Sequence, residues 1–503
     1  MARQISLNAQ SPTGELDRFY SHCVGAGRAH ELLRADALDQ LSMLQAECGF
    51  QYIRFHGLLC DDMAVYHEDA SGNPLYNWQY VDMVFDRLLA LGLRPLVELG
   101  FMPDRLKSGD QTLFWWRGNV TPPADMAKWH GLIYALVSHW EARYGADEII
   151  RWYFEVWNEP NLKGLFFTGD MQSYFDLYDA SVSAIKAVNP LCRVGGPATA
   201  EASWIAEIIG HCVKQGIALD FISTHSYGVT GCLDEFGEDL HTLIPDRDSV
   251  ARNVRQARRQ IDESPLPGLP LFFTEWSSSY SSRDSVHDSY INAPFILHTL
   301  SRCRGYAASM SYWTFTDIFE EGGPGPAPFH GGFGLLTQQG LRKPSYYAYR
   351  FLCALPELEL ATGDADSLAA VSGDGCRIGL LLWRYCPPET SEPNESYFIR
   401  DLPPVGREDI SVRLEGLSGC YRLRISRVGY EANDVYTAYL KMGLRKLHGR
   451  ETPTPRQIGL LRASSAGLPQ EERTVSADAH GVVAFSLSLR DNDVLFVTLE
   501  RDM

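Results

Sequence analysis

Tyr153-Phe154-Glu155-Val156-Trp157-Asn158-Glu159-Pro160 is the stretch on which the reading of the fold turns. Its first half is a short aromatic and β-branched run, which reads as a strand. Proline cannot continue a ladder, so the strand is expected to stop at Asn-Glu-Pro, with Glu159 at its C-terminal end. A carboxyl that can move a proton, a carboxamide that can bond a hydroxyl and an indole face together suit a sugar ring. A capped strand with a surface glutamate explains Asn-Glu-Pro about equally well on its own. A second carboxylate placed the same way, in Leu271-Phe272-Phe273-Thr274-Glu275-Trp276, shifts the balance toward a site.

Outward from these two runs the chain alternates short apolar segments with amphipathic ones. Strands are expected at Tyr20 to Val24, Tyr52 to Leu58, Arg94 to Phe101, Tyr153 to Glu159, Arg193 to Gly196, Phe221 to Tyr227, Leu271 to Trp276 and Ser309 to Phe315. Helical patterns lie between and after them, at Ala35 to Cys48, Trp78 to Leu91, Ala124 to Tyr144, Met171 to Val188, Ile205 to Gln215, Asp248 to Glu263, Ala293 to Cys303 and Ser345 to Leu355. Asp125 and Asp170 mark two helix starts. Eight β-then-α units predict a (β/α)8 TIM barrel over residues 15–345, because alternation demands parallel strands and eight close the sheet. An open doubly wound sheet would want a glycine-rich phosphate turn. Gly25-Ala26-Gly27 begins one, but no G-x-G-x-x-G completes it.

Beyond Leu355 the pattern becomes alternating runs between Gly-, Pro- and Asp-rich turns: Leu368 to Val371, Arg377 to Tyr385, Ile410 to Leu414, Cys420 to Val428, Val482 to Leu489 and Val494 to Leu499. This predicts a C-terminal antiparallel β-sandwich domain of residues 346–503, joined by residues 1–14 as a strand. A helical insert, about 431–465, interrupts it, with helices at Asp434 to Leu447 and near Arg456 to Ala463.

A net charge of -18 without a basic stripe argues against nucleic acid as partner. The 11 cysteines show neither C-x-x-C nor zinc spacing and read as buried thiols in a reducing cytoplasm. The first residues lack a signal peptide's apolar core, and no run approaches the ~18 apolar residues of a membrane span, so a cytoplasmic location is expected, away from membranes.

Barrel active sites lie at the C-terminal ends of the strands. The fourth strand delivers Asn158 and Glu159 there, and the seventh Glu275. Two facing carboxylates are what glycoside hydrolysis needs. Arg54 and His56 share a face of the second strand, as His225 and Tyr227 do on the sixth. Trp313 lies on the eighth, followed by Glu320 and Glu321, and Phe114-Trp115-Trp116 follows the third. Singly, Arg54 reads as a buried ion pair, a strand histidine as a satisfied core group and Trp313 as barrel filling. Gathered at one rim, they read as a site. Glu155 reads as structural.

Trp157-Asn158-Glu159-Pro160-Asn161-Leu162, Thr274-Glu275-Trp276, Thr224-His225-Ser226-Tyr227-Gly228 and the run from Tyr312 to Glu321 resemble glycoside hydrolase family 39, on the side of its β-xylosidases. The likeness covers nearly the whole chain, including Arg143-Tyr144-Gly145 and Trp115-Trp116-Arg117-Gly118-Asn119. It implies a retaining mechanism with Glu159 as acid/base and Glu275 as nucleophile, and Asn158 on the sugar 2-hydroxyl. It also implies that His56, Phe114, His225, Tyr227, Tyr280, Trp313, Glu320 and Glu321 surround the sugar. The expected activity is exo-acting release of D-xylose from xylobiose and short xylo-oligosaccharides, with neither metal nor organic cofactor. The rivals are an α-L-iduronidase-like or other retaining enzyme of the same family, and a non-catalytic sugar-binding barrel. A uronate needs a cation, where this sequence has Glu320-Glu321, and a binder has no use for a nucleophile.

Overall fold

The computed structural model describes residues 3–233, 239–446, 449–450 and 452–502. Eight parallel strands close into a barrel: β1 Cys23–Arg28, β2 Tyr52–His56, β3 Arg94–Leu99, β4 Tyr153–Val156, β5 Arg193–Thr199, β6 Phe221–Tyr227, β7 Leu271–Ser277 and β8 Ser309–Tyr312. Helices Ala35–Cys48, Gln79–Ala90, Met126–Tyr144, Met171–Val188, Ile205–Gln215, Ser249–Asp262, Asn292–Cys303 and Pro344–Ala354 alternate with them, each within two residues of its expected span. The two aspartates cap as the sequence indicates. Asp125 accepts from the N–H of Ala127 and Lys128, and Asp170 from that of Ser173.

The barrel differs from expectation at three places that matter, one being the eighth strand, which ends at Tyr312 and leaves Trp313 just past it. The first strand lies later than Tyr20 to Val24, because Gly25 and Gly27 belong to the ladder and not to a turn. A Cβ on Gly25 would come within 2.5 Å of Trp313, and one on Gly27 within 2.0 Å of Glu31. The fourth strand ends at Val156, so Glu159 lies just past the ladder. Trp157 and Glu159 adopt left-handed conformations there, with φ of 69° and 43°.

Apart from short two-stranded pairs, the remaining described strands form two facing sheets. Seven run antiparallel in the order Gly14–Glu15, Leu358–Leu360, Ser367–Val371, Arg377–Trp383, Val494–Arg501, Cys420–Val428 and Glu471–Ser476. The other sheet places Arg407–Glu415 between Val483–Arg490, antiparallel, and the N-terminal strand Arg3–Asn8, which pairs in parallel. Ile5, Leu7, Leu380, Leu382, Val412 and Leu495 are part of the apolar layer between them. Of the expected insert, Val435–Lys441 and Pro455–Ser464 are helical, and Leu447 lies outside the described residues. The cysteines with described side chains are free. Among the described residues no helix is long and apolar enough to cross a membrane.

Candidate active site

Side chains fill the barrel in layers, because residues i and i+2 of a strand share a face. The lowest layer is apolar: Cys23, Tyr52, Leu96, Tyr153, Phe221 and Phe272. Two residues further along the strands stand Arg54, Glu98, Glu155 and Thr274, all fully buried. Above them come His56 and His225. The register sets Glu155 beside Glu98 and His225 beside Glu275.

Arg54 organises this polar layer. It donates from Nε to Glu155 at 2.5 Å, from Nη1 to Glu275 at 2.7 Å and from Nη2 to Asn158 Oδ1 at 2.8 Å. Nη2 also lies 2.9 Å from Glu98. The other oxygen of Glu275 accepts from the Tyr227 hydroxyl at 2.6 Å. Glu159 is fixed differently. Its N–H donates to the Ala198 carbonyl at 2.8 Å, and its carboxyl lies 2.9 Å from His225 Nδ1. An oxygen of Glu159 and one of Glu275 lie within 4.8 Å of each other.

A cavity of about 520 Å³ opens above these two carboxyls. His56, Phe114, Glu159, Tyr227, Glu275, Tyr280, Trp313 and Glu321 all line it. Of the other residues singled out in the sequence, Arg54, Asn158 and His225 sit behind the wall as supports. Glu320 is not brought to the cavity: its carboxylate faces Arg34 at 3.2 Å and Arg28 at 3.7 Å. Adjacent side chains in a loop leave on different sides, and the two arginines draw this one outward.

These features have counterparts in known proteins. The chain matches the description "Glycosyl hydrolases family 39" over residues 3–483. It belongs to that family. The chain is 37% identical, over 99% of its length and 98% of the other's, to a beta-xylosidase of Caldicellulosiruptor saccharolyticus. Among solved structures it resembles a GH39 enzyme from Xanthomonas axonopodis pv. citri, with a TM-score of 0.96, 43% identity and coverage of 100% of this chain and 98% of that one. It likewise resembles a monomeric beta-xylosidase from Caulobacter crescentus, with a TM-score of 0.95, 43% identity and full coverage of both chains. The protein is a glycoside hydrolase.

The family 39 site sets its acidic groups apart electrostatically. Burial pushes Glu159 up to about 7, with Arg54 opposing and the charges of Glu98 and Glu201 adding to it. Burial likewise pushes Glu98 up to about 8. Burial also works against the charge of Glu155, but Arg54, His225 and the hydroxyls around it outweigh that and hold the carboxyl below its usual range. Burial lowers His56 and His225 to about 4, so both rings stay neutral near pH 7. Burial, then the charges of Glu275, Glu31 and Glu159, raise Glu321 well above the usual carboxylate range. Glu159, His225 and Glu275 lie close enough together to suit a metal ion, as do His241, Asp284 and Glu395. In the first group Glu275 already accepts from the Arg54 guanidinium.

Several residues at the site carry weaker signals in the sequence. Glu98 lies 2.5 Å from His56 Nδ1, and a carboxylate inside the apolar run Leu96 to Leu99 was its signal, since a buried charge needs partners. Leu165, Phe166, Glu201, Asn253 and Phe333 also line the cavity. They come from loops and a helix surface, where no periodicity marks them.

Proposed function

We propose that this enzyme is a retaining, exo-acting β-1,4-xylosidase that releases D-xylose from the non-reducing ends of xylobiose and short xylo-oligosaccharides. The observation that carries the reading is the pair of carboxyls within 4.8 Å of each other in unlike surroundings. Retaining enzymes hold their carboxyls about 5–5.5 Å apart, whereas inverting ones leave about 6.5–9.5 Å for a water. Glu275, bonded by Arg54 and Tyr227, is the anion and attacks the anomeric carbon. Glu159 holds a proton near neutral pH and gives it to the leaving oxygen as the glycosidic C–O bond breaks. In the second half Glu159 takes a proton from water, whose oxygen bonds to the anomeric carbon as the ester to Glu275 breaks.

Support for a neutral sugar comes from the carboxyl of Glu321, which lies 3.6 Å from His56 at the cavity wall and offers a hydrogen-bonding group to sugar hydroxyls but no cation to a uronate. Asn158 Oδ1 accepts from Arg54, while the buried Nδ2 of the same amide has no acceptor among the described residues. The sugar 2-hydroxyl fills that role in this reading. The test is Glu275→Ala, assayed on an activated β-xyloside with added azide. The variant should be nearly inactive, and azide should restore turnover to give an inverted α-xylosyl azide. A β-configured azide, or full activity without azide, would remove Glu275 from the nucleophile's role.

A further inference from the structure

Three residues in a line behind Glu159 form with it a hydrogen-bonded chain whose polarity can be worked out from one end. Glu155 is fully buried and accepts from Arg54 Nε at 2.5 Å, which marks it as the anionic end. A carboxylate has no proton to give, so the Thr274 hydroxyl donates to Glu155 Oε1 at 2.7 Å. With its proton committed, Thr274 Oγ1 can only accept from the next member, His225 Nε2, 3.2 Å away. A neutral imidazole carries one N–H. If that N–H is on Nε2, Nδ1 is bare. The bare Nδ1 lies 2.9 Å from Glu159 Oε1 and can only accept from it.

We propose that Glu155 and Thr274 are positioning residues that fix His225 as its Nε2–H tautomer, so that the imidazole holds the proton on Glu159 until the leaving oxygen takes it. This rests on the reading of Glu159 as the acid. After the Glu159 O–H bond breaks and the proton passes to the leaving group, the new carboxylate faces the lone pair of Nδ1 with no donor between them. That arrangement disfavours the anion and makes Glu159 a stronger base toward the water of the second step. The opposite tautomer, with its proton on Nδ1, would stabilise the carboxylate and spoil both steps. Other charged or titratable groups also face this place: Arg54 and His56 on β2, Glu98 on β3, Glu275 on β7, Glu201 after β5 and Glu321 after β8. Among the described residues none of these side chains bonds the Thr274 hydroxyl, whose partners are Glu155 and His225, so removing that hydroxyl reaches Glu159 through His225.

The experiment is the pH dependence of kcat/KM on xylobiose for wild type, Thr274→Val and Thr274→Ser. Valine removes the acceptor for Nε2–H, the proton moves to Nδ1, and the basic limb should shift to lower pH by about one unit or more, a tenfold change in proton occupancy. Serine keeps the hydroxyl and should return the limb toward its wild-type position. A Thr274→Val enzyme that loses rate but keeps its limb in place would overturn the proposal. Should Thr274→Val fail to fold, ¹⁵N NMR of the wild-type imidazole decides. A protonated Nε2 is required, and an Nδ1–H tautomer refutes it. That readout stands whether or not the enzyme cleaves xylosides, so failure of this proposal is separable from failure of the proposed activity.

Discussion

Arg54→Lys keeps a positive charge in the barrel and removes the fork that distributes it. Three different nitrogens of Arg54 reach Glu155, Glu275 and Asn158, and one of these also reaches Glu98. A lysine ammonium is a point charge and cannot span these positions. With Glu98 pushed up to about 8 and therefore largely neutral near pH 7, the guanidinium balances chiefly Glu155 and Glu275. Loss of two charge-assisted hydrogen bonds at roughly 1.5–3 kcal/mol each amounts to roughly 3–6 kcal/mol. Arg54 is fully buried, so solvent screening does not discount the figure. Set against total stabilities of about 5–15 kcal/mol, the loss should be plain in a denaturant titration. The kcat/KM measured where the variant is still folded should fall at least ~100-fold, since both Glu275 and Asn158 lose their fixed orientation. An Arg54→Lys protein with a wild-type unfolding midpoint and wild-type kcat/KM would show that the fork organises nothing.

Glu159→Ala should cost ~10²–10⁴-fold with xylobiose and far less in the glycosylation step with dinitrophenyl β-xyloside, whose leaving group needs no proton; equal losses would point to a different acid. Glu321→Ala should lower kcat/KM for β-xylosides by the equivalent of about 0.5–1.5 kcal/mol, as for a neutral hydrogen bond; unchanged xyloside kinetics would take Glu321 out of sugar binding. Stability should fall as pH rises from about 6.5 to 8. Glu31 and Glu98 at about 8 and Glu159 at about 7 keep protons in the fold that the unfolded chain has already released. Histidines 22, 56, 225 and 287, lowered to about 4, act oppositely but only below their unfolded value near 6.5. A melting temperature that rises between pH 6.5 and 8 would contradict these assignments.

The barrel was legible because its strands and helices carry strong, separate periodicities. Ala35–Cys48 and Met171–Val188 are helices over the residues their apolar spacing marks. The strand Glu471–Ser476 was not legible: it lies at a sheet edge, mostly exposed, and has no alternation to read. Gly25 and Gly27 misled because glycine serves turns and close packing alike, and only the Trp313 ring and Glu31 beyond them tell which. Within the site, residues at strand ends could be listed from spacing alone, since the barrel sends them to one rim. What spacing lacks is direction past the ladder. Glu320 and Glu321 are neighbours in sequence, yet one meets Arg34 and the other His56. Glu98 and Thr274 looked like ordinary strand residues until the register set them against Arg54, His56 and His225.

The retaining chemistry proposed for Glu159 and Glu275 is tested most directly by the anomer of the first xylose released. Hydrolysis of xylobiose followed by ¹H NMR, at enzyme concentrations that outrun mutarotation, should show an initial excess of β-xylose over the anomeric mixture contributed by the reducing-end unit, decaying as mutarotation proceeds. An initial excess of α-xylose over that mixture would mean a single inverting displacement, and would contradict a nucleophilic Glu275 whose carboxyl oxygen lies within 4.8 Å of Glu159.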